Sequence, residues 1–393
     1  MFCITHKDSD SRARAGVLET KSGKKLETPA YAIVGTNAEV RCIDAREAER
    51  AGTRLIIANT YHLWRELGDS LNSFEGLPAR IDMPGSIIMT DSGGFQVFSF
   101  GFGREHNTGK VGILRTADFP RAAASQENLV RVTENGAFFT DGRDERFLGP
   151  EESMKIQERL GADIMFAFDE CTSPWSDYEY TKKAMNRTHR WAEVCLSKKT
   201  NASQMLYGIV QGGVFSDLRA ESAKFIGSLP FDGFGIGGSF GENGMGGMVA
   251  AVNDLLPEQK PRHLLGIGTV RDVFKGVDAG VDTFDCVVPT REARHGALWT
   301  RDGRIDLKKS GYVNSTEPLE MECSCEACSS RISRGELRKM FKLKDRRAGK
   351  LATIHNVFFF NNLMCKIRKA IKEGKYKEFK SEFLGIISRY GIV

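Results

Sequence analysis

Eight short apolar runs, each followed by a turn and a helical stretch, constrain the fold of this chain more than any other feature. Short apolar runs bounded by turn residues are typical of buried parallel strands. The stretches 45–51, 151–160, 180–198 and 216–226 between them are rich in charged and helix-forming residues. Eight strand-and-helix units are what a closed (β/α)8 barrel, or TIM barrel, requires. The predicted strands are Tyr31–Val34, Leu55–Ala58, Ile87–Met89, Ile164–Phe168, Met205–Val210, Phe231–Ile236, His263–Ile267 and Val281–Phe284.

An open, doubly wound parallel sheet is the alternative fold. It is disfavoured because no G-x-G-x-x-G sequence opens a first helix in the expected place. We therefore predict an α/β chain with a barrel domain at 1–310. Residues 101–149 form a long excursion between the third and fourth units, and we expect Val130–Val132 and Ala137–Thr140 to pair there as a hairpin. Long insertions in compact domains are usually lids or binding elements.

Polar residues and glycines follow six of the predicted strands. In a parallel barrel the carboxyl ends of the strands meet at one rim, where barrel enzymes place their active sites. Asp and Gly also simply terminate strands, but their recurrence after so many strands favours a site. The residues are Asp91 and Ser92, Asp169–Cys171, Gln211–Gly213, Gly237–Ser239, Gly266–Gly268, and Asp285 with Cys286.

The segment Thr90–Phe98 carries the most varied set of such groups. Asp91 supplies a carboxylate and Ser92 a hydroxyl at the end of a predicted strand. Gly93 and Gly94 allow a tight turn and a close approach of a ligand to the backbone. Phe95 offers a flat apolar face on which a planar ring could stack.

Charge and cysteine content indicate the partners and the compartment. The net charge is +5, and nine residues of Arg331–Lys350 are Lys or Arg against two acidic ones. Such clustering suits a polyanion, although a basic run is often only a solvated face. No segment is long and apolar enough for a membrane span or a signal sequence, so we expect a cytoplasmic protein without membrane contact. Nine scattered cysteines do not form a disulfide scaffold.

Three cysteines and a histidine have the spacing of a metal site. Cys323, Cys325 and Cys328 form a Cys-x-Cys-x-x-Cys cluster, and His355 follows, at the start of a predicted apolar helix. Three thiolates and one imidazole complete a tetrahedral shell without a position for water, which predicts one structural Zn²⁺ per chain. A chance arrangement is the alternative. We predict a zinc-binding subdomain with basic helices at 311–393.

Several motifs in one order give the chain a resemblance to the tRNA-guanine transglycosylases, the queuine tRNA-ribosyltransferase family. The resemblance implies a barrel with a zinc subdomain, a homodimer, and exchange of the wobble guanine in tRNAs with a GUN anticodon for a 7-deazaguanine. The motifs are Asn59–Leu63, Thr90–Gln96, Phe168–Cys171, Gly208–Gly213, Phe284–Arg291 and the Cys-x-Cys-x-x-Cys…His cluster.

The resemblance also implies roles for individual residues. Asp285 would be the nucleophile at C1′ of the ribose and Asp91 the general acid and base. The residues implied to bind the base are Ser92, Gly93, Gly94, Phe95, Asp169, Cys171, Gln211, Gly237, Gly238 and Leu265. Those implied to contact RNA are Gly266, Arg271, Asp272, Thr290, Arg291 and Arg294.

Departures from the family pattern affect the incoming base. The segment Gly237–Glu242 is one residue shorter than the usual Gly-Gly-Leu-Ala-Val-Gly-Glu, and Leu265 stands where relatives often have Met. Val40 resembles bacterial members, which use 7-aminomethyl-7-deazaguanine (preQ1), whereas the altered wall leaves the bulkier queuine open. The alternative function is a non-catalytic RNA-binding subunit of a transglycosylase heterodimer, but such a subunit needs neither Asp91 nor Asp285.

Overall fold

The computed structural model describes residues 1–98, 130–141, 144–238 and 240–389. The strands are β1 (Phe2–Lys7), β2 (Arg14–Glu19), β3 (Lys25–Thr28), β4 (Ala30–Gly35), β5 (Leu55–Ala58), β6 (Ile87–Thr90), β7 (Val130–Thr133), β8 (Gly136–Asp141), β9 (Asp144–Leu148), β10 (Ile164–Phe166), β11 (Met205–Val210), β12 (Gly233–Ile236), β13 (Arg262–Leu264), β14 (Thr283–Cys286), β15 (Ala297–Thr300) and β16 (Gly303–Asp306). The helices are α1 (Ala45–Arg50), α2 (Thr60–Leu67), α3 (Leu77–Ile81), α4 (Pro150–Leu160), α5 (Tyr178–Lys198), α6 (Ser216–Ser228), α7 (Gly241–Leu255), α8 (Val270–Asp278), α9 (Val288–Arg294), α10 (Glu326–Ser329), α11 (Arg334–Lys342), α12 (Arg346–Lys372) and α13 (Tyr376–Arg389).

Eight parallel strands close into a barrel in the order β10-β11-β12-β13-β14-β4-β5-β6, which confirms the predicted fold. The ring closes where β6 pairs with β10 and where β14 pairs with β4. The seventh predicted strand was too long: β13 ends at Leu264, because Gly266 adopts a left-handed conformation with φ of 70° and turns the chain away.

Alternate side chains of the barrel strands fill its interior. Ala32, Ile57, Met89, Phe166 and Tyr207 belong to one buried cluster there. Within a strand the cluster takes every second residue, as Ile87 and Met89 show, because every second side chain of a strand faces the same side. The residues between them face the helices, so both faces of the sheet are apolar, as in other parallel barrels.

The N-terminal sheet β1–β3, which was not predicted, packs against this interior cluster through Phe2, Leu18 and Leu26. Three basic residues in this sheet or in its β2–β3 connection form ion pairs with aspartates of the barrel. Each of the three aspartates directly precedes a barrel strand. Each of these aspartates accepts a backbone N–H from a neighbouring strand, at 2.7 to 2.9 Å. The pairs are Lys24–Asp163, Lys21–Asp232 and Arg14–Asp282. This end of the barrel is therefore closed by ion pairs, opposite to the rim where the polar residues lie.

The excursion contains three antiparallel strands, β7–β9, where two were predicted. Glu134 at the β7–β8 turn pairs with Arg187 and Arg190 of α5, and its carbonyl accepts the Trp191 indole N–H. The small sheet is therefore fixed to the barrel's helical layer. The first part of the predicted excursion, residues 101–129, lies outside the described residues.

The C-terminal segment packs onto the barrel through the long helix α12. Phe360 of this helix lies 5.0 Å from Tyr31 of β4, measured between ring centroids. The division of the chain into 1–310 and 311–393 stays a prediction. Among the described residues, no helix combines the length and apolar character needed to cross a bilayer.

Candidate active site and metal centre

Asp91 follows β6 at the carboxyl rim and accepts four hydrogen bonds. The backbone N–H groups of Thr60 and Gly93 donate to Oδ1 at 2.9 and 3.1 Å. The side-chain amides of Asn59 and Gln96 donate to Oδ2 at 2.6 and 3.4 Å. Asn59 and Thr60 of the motif at 59–63 therefore hold the Asp91 carboxyl in place. The sequence alone did not reveal this role.

The environment of Asp91 brings its pKa close to neutrality. Burial raises the pKa of this carboxyl to about 7, against the lowering effect of the Thr60 and Gly93 donors. The nearby negative charge of Asp285 raises it further. A carboxyl group with this pKa can both give and take a proton near neutral pH, as general acid–base chemistry requires.

Asp285 is the penultimate residue of β14, at the same rim, and is held differently. Its Oδ1 accepts the Gly266 backbone N–H at 2.8 Å and lies 3.0 Å from Nε2 of His263. Within the described part of the chain, Oδ2 has no hydrogen-bond partner. His263 was missed from the sequence because a histidine inside an apolar run gives no signal of function.

Asp169, Ser92 and Gln211, three of the residues implied to bind the base, come together in a buried group. The Ser92 hydroxyl and the Gln211 amide donate to the two oxygens of Asp169 at 3.2 and 2.7 Å. Burial raises the pKa of Asp169 to about 6, while these donors lower it. Burial also raises the pKa of the neighbouring Cys171 thiol to about 12, so that this thiol is neutral.

Gly237 and Gly238 border the same group on the side of Gln211. Gly238 has a φ of 83°, and a Cβ there would lie 2.7 Å from Oε1 of Gln211. The buried Arg219, another residue that the sequence did not single out, donates to the Gly237 carbonyl at 2.9 Å and lies over the Phe240 ring at 4.1 Å. Ser239 lies outside the described residues.

Phe95 and Leu265 also reach this rim. Gly93 supplies a positive φ of 78° before a helical stretch at 94–98. The Phe95 ring is 44% exposed and therefore accessible to a ligand. Leu265 directly follows β13, and its side chain approaches Gly235 of the neighbouring strand.

The residues implied to contact RNA lie just beyond the ends of β13 and β14. Gly266 and Arg271 are exposed, whereas the carboxylate of Asp272 completes the capping box of α8 by accepting the Thr269 backbone N–H at 3.2 Å. The remaining three lie on α9, and they are Thr290, Arg291 and Arg294. Burial and the nearby positive charge of Arg41 lower the pKa of one of them, Arg294.

The four predicted metal ligands converge. Their donor atoms all lie within 4.8 Å of one another, and Nδ1 of His355 is 3.8, 3.7 and 3.4 Å from the sulfurs of Cys323, Cys325 and Cys328. A tetrahedral zinc shell has N···S edges of about 3.6 Å, given its bond lengths. Nε2 of His355 lies 2.8 Å from the Trp299 carbonyl, which leaves Nδ1 free to bind a metal. The residues therefore fit a tetrahedral metal ion.

The helix around His355 differs from the prediction. His355 lies inside the 27-residue helix α12 and not at the start of a helix. The helix begins earlier because Asp345 caps it by accepting the Arg347 N–H at 2.9 Å.

Comparison with known proteins identifies relatives along nearly the whole chain. A family model described as queuine tRNA-ribosyltransferase matches residues 8–388. A queuine tRNA-ribosyltransferase of Herpetosiphon aurantiacus is 42% identical over 390 residues, which cover 98% of this chain and 92% of the relative. Another, of Halothermothrix orenii, is 39% identical over 388 residues, which cover 98% and 96%. The similarity includes both the barrel and the metal-binding segment.

Proposed function

Because this chain belongs to the queuine tRNA-ribosyltransferase family and is a tRNA-guanine transglycosylase, we propose that Asp285 and Asp91 carry its base exchange. One observation supports this division of roles. Both oxygens of Asp91 are occupied by hydrogen bonds, whereas Asp285 keeps Oδ2 without a partner among the described residues. A nucleophile needs an oxygen that no donor holds, and Oδ2 of Asp285 is such an oxygen. Asp91 can still hold a proton on Oδ2, because the Gln96 amide approaches that oxygen only at 3.4 Å.

The first half of the reaction replaces guanine by the enzyme. Oδ2 of Asp285 attacks C1′ of the wobble ribose and forms an O–C1′ bond. The C1′–N9 bond breaks, and guanine leaves with the electron pair while neutral Asp91 supplies a proton. The raised pKa of Asp91, about 7, provides this proton near neutral pH.

The second half reverses these steps with a different base. The incoming base attacks C1′ through N9, the O–C1′ bond breaks, and Asp285 leaves as a carboxylate. Asp91, now ionised, accepts the N9 proton. Two displacements retain the configuration at C1′, as in retaining glycosidases.

Base recognition falls to the buried group around Asp169. Its carboxylate can accept from the N1–H and the exocyclic amino group of guanine, and the Gln211 amide and the Gly238 N–H can donate to the carbonyl. Leaving such buried groups unpaired costs about 1–3 kcal/mol each, which gives selectivity for a guanine edge. Phe95 would stack on the purine face after the base is turned out of its loop.

We propose preQ1 as the incoming base, with queuine as the alternative. Val40 is buried in the segment that follows β4, and Gly237, Gly238 and Phe240 are the described residues of the shortened segment expected to meet the 7-substituent. The RNA-binding residues on α8 and α9 would hold the anticodon loop of GUN tRNAs through phosphates and neighbouring bases.

The finer properties of the chain are also proposals. Cys323, Cys325, Cys328 and His355 would hold a structural Zn²⁺ that stabilises the fold around α12. We propose a homodimer, to be tested by analytical ultracentrifugation, and action in the cytoplasm, because six cysteines outside the metal cluster form no disulfide among the described residues, which is compatible with a reducing compartment.

The test uses tRNA that carries radiolabelled guanine at the wobble position. Purified protein is incubated with this tRNA and with guanine, preQ1 or queuine in separate samples, and label release is measured. We expect release with guanine and with preQ1. Release with queuine but not with preQ1 would overturn the proposed incoming base.

Variants test the assigned roles. Asp285→Asn should form no covalent RNA adduct on a denaturing gel, and Asp91→Asn should lose label release. Asp254→Asn is the matched control, because this aspartate forms a half-exposed ion pair with Arg12. An adduct of full yield in Asp285→Asn would remove Asp285 from its role. Binding of tRNA without any exchange in the unaltered protein would favour the non-catalytic subunit.

A further inference from the structure

Three side chains on neighbouring barrel strands form a chain of hydrogen bonds that ends on the proposed nucleophile. In the register of β13 and β14, His263 lies directly opposite Thr283. Asp285 is two residues beyond Thr283, so its side chain faces the same side of the strand. Nδ1 of His263 lies 2.8 Å from the Thr283 hydroxyl and Nε2 lies 3.0 Å from Oδ1 of Asp285.

The direction of these hydrogen bonds follows from proton counting. The carboxylate that attacks C1′ has no proton to donate, so Nε2 of His263 must carry the hydrogen of that contact. In the neutral imidazole Nδ1 is then an acceptor, and the Thr283 hydroxyl donates to it. His263 is fully buried and packs 5.1 Å from the Phe166 ring, measured between centroids, so the ring is held in one orientation.

Both donors to Asp285 act on one oxygen. His263 and the Gly266 N–H approach Oδ1, and Oδ2 is left for the bond to C1′. In the covalent intermediate Oδ1 becomes the carbonyl oxygen of an ester, which carries less negative charge than a carboxylate oxygen. Hydrogen bonds to a charged acceptor are about twice as strong as those to a neutral one.

We propose that His263 is a positioning residue that stabilises Asp285 as a leaving group in the second displacement. This inference rests on the proposed role of Asp285. When the O–C1′ bond breaks, its electron pair returns to the carboxylate and negative charge develops on Oδ1. His263 stabilises that charge more than it stabilises the ester, so it prevents the ribosyl intermediate from becoming a trap. Thr283 supports this function by fixing the tautomer of His263.

The test measures an equilibrium. A variant that only disturbs the geometry of Asp285 would change the rates of the two displacements, whereas loss of the stabilised carboxylate also changes the ratio of ester to free enzyme. Guanine serves as both leaving and incoming base, so the ratio of covalent adduct to free enzyme is read on denaturing gels at fixed tRNA and guanine concentrations. His263→Leu removes the donor and should raise this ratio about tenfold, which is the scale for losing one hydrogen bond to a charged group. Breakdown of the isolated adduct on addition of guanine should slow correspondingly.

Two further variants separate this role from a general loss of structure. In His263→Gln the amide can donate from about the position of Nε2, so the adduct ratio should return towards that of the unaltered protein. Thr283→Val should raise the ratio by less than His263→Leu does, and it decides the question if His263→Leu does not fold. A ratio that is unchanged or lower in a folded His263→Leu, or in Thr283→Val if only that variant folds, would refute the inference.

The proposed function fails in a different way. If the unaltered protein forms no adduct, or if Asp285→Asn forms one, the role of Asp285 is wrong and the adduct ratio has no meaning. If the unaltered protein forms an adduct that Asp285→Asn cannot form, the function stands and the His263 variants test the inference alone.

Discussion

The two perturbed carboxyl groups of the site predict a narrow, bell-shaped dependence of kcat/KM on pH. Asp169 must be ionised to accept the guanine N–H groups, and its pKa is raised to about 6 by burial. Asp91 must be protonated to protonate the leaving guanine, and its pKa is raised to about 7 by burial. The rate should therefore fall when pH drops below the first value or rises above the second, because kcat/KM reports the free enzyme.

The magnitude follows from these two values. With pKa values of about 6 for Asp169 and about 7 for Asp91, the optimum lies near pH 6.5. At that pH roughly 60% of the enzyme has Asp169 ionised and Asp91 protonated. That fraction falls about sixfold at pH 5 and about 20-fold at pH 8.5. If Asp91 had an ordinary pKa near 3.9, the rate would instead change less than about twofold between pH 5 and pH 6 and would approach a tenfold fall per pH unit above that, without a maximum near pH 6.5.

The assay is release of labelled guanine at low tRNA concentration, from pH 5 to pH 9 at constant ionic strength. Constant salt is necessary because RNA affinity depends strongly on ionic strength. Asp169→Asn provides the assignment: it should lower kcat/KM by about tenfold or more, since buried base donors lose their acceptor. Its residual profile should lack the acidic limb and keep the basic one.

Two results would refute the reasoning. A rate that declines steadily from pH 5 upward would show that the pKa of Asp91 is not raised. An acidic limb that persists in Asp169→Asn would assign that limb to another group.

Further predictions concern stability and the pocket wall. Arg14→Met should lower the free energy of unfolding by about 3–5 kcal/mol in chemical denaturation, because it leaves the buried Asp282 without its ion-pair partner. Lys7→Met, which removes an exposed ion pair, should lower it by less than about 1 kcal/mol. Cys325→Ser should reduce the bound zinc, measured by atomic spectrometry, and lower Tm; a zinc-free variant of full stability would contradict a structural metal. Gly238→Ala should reduce guanine exchange because its Cβ would lie 2.7 Å from a glutamine oxygen, whereas Gly374→Ala, with φ of 66° and no atom within 4 Å, should retain exchange.

The barrel was predictable because its signal is repeated. Eight apolar runs with turn residues after them specify one architecture even when single boundaries are wrong. The N-terminal sheet gave no such signal, because its strands are only four to six residues long and differ in pattern: β1 is mostly exposed, β2 is mostly buried, and only β3 alternates. Its packing depends on pairs such as Arg14 and Asp282, which are 268 residues apart in sequence and follow no local pattern.

The candidate site was predictable only in part, for a similar reason. Groups at the ends of strands, such as Asp91, Asp169 and Asp285, follow from the topology of a parallel barrel. Groups that hold them in place do not. His263 lies within a strand, and Arg219 lies on a helix, where a charged residue normally indicates a solvent-exposed face although this one is 1% exposed. Such partners become visible only when neighbouring strands and helices are assembled.

The two aspartates proposed to be catalytic are also coupled, and the coupling predicts how the second displacement depends on pH. The charge of Asp285 contributes to the raised pKa of Asp91. Ester formation removes that charge, so the pKa of Asp91 should be lower in the covalent intermediate than the value of about 7 in the free enzyme. Asp91 therefore tends to stay ionised after it has protonated guanine, which is the state needed to accept a proton from the incoming base.

The adduct can be formed first, freed of guanine by gel filtration, and mixed with fresh base at different pH values. Its breakdown should accelerate as pH rises and become constant at a pH below about 7, because Asp91 is then fully ionised. The matched measurement is adduct formation, whose rate should decline above about 7. A breakdown rate that still increases well above that pH would mean that the two aspartates do not influence each other in the intermediate, and that another group accepts the proton.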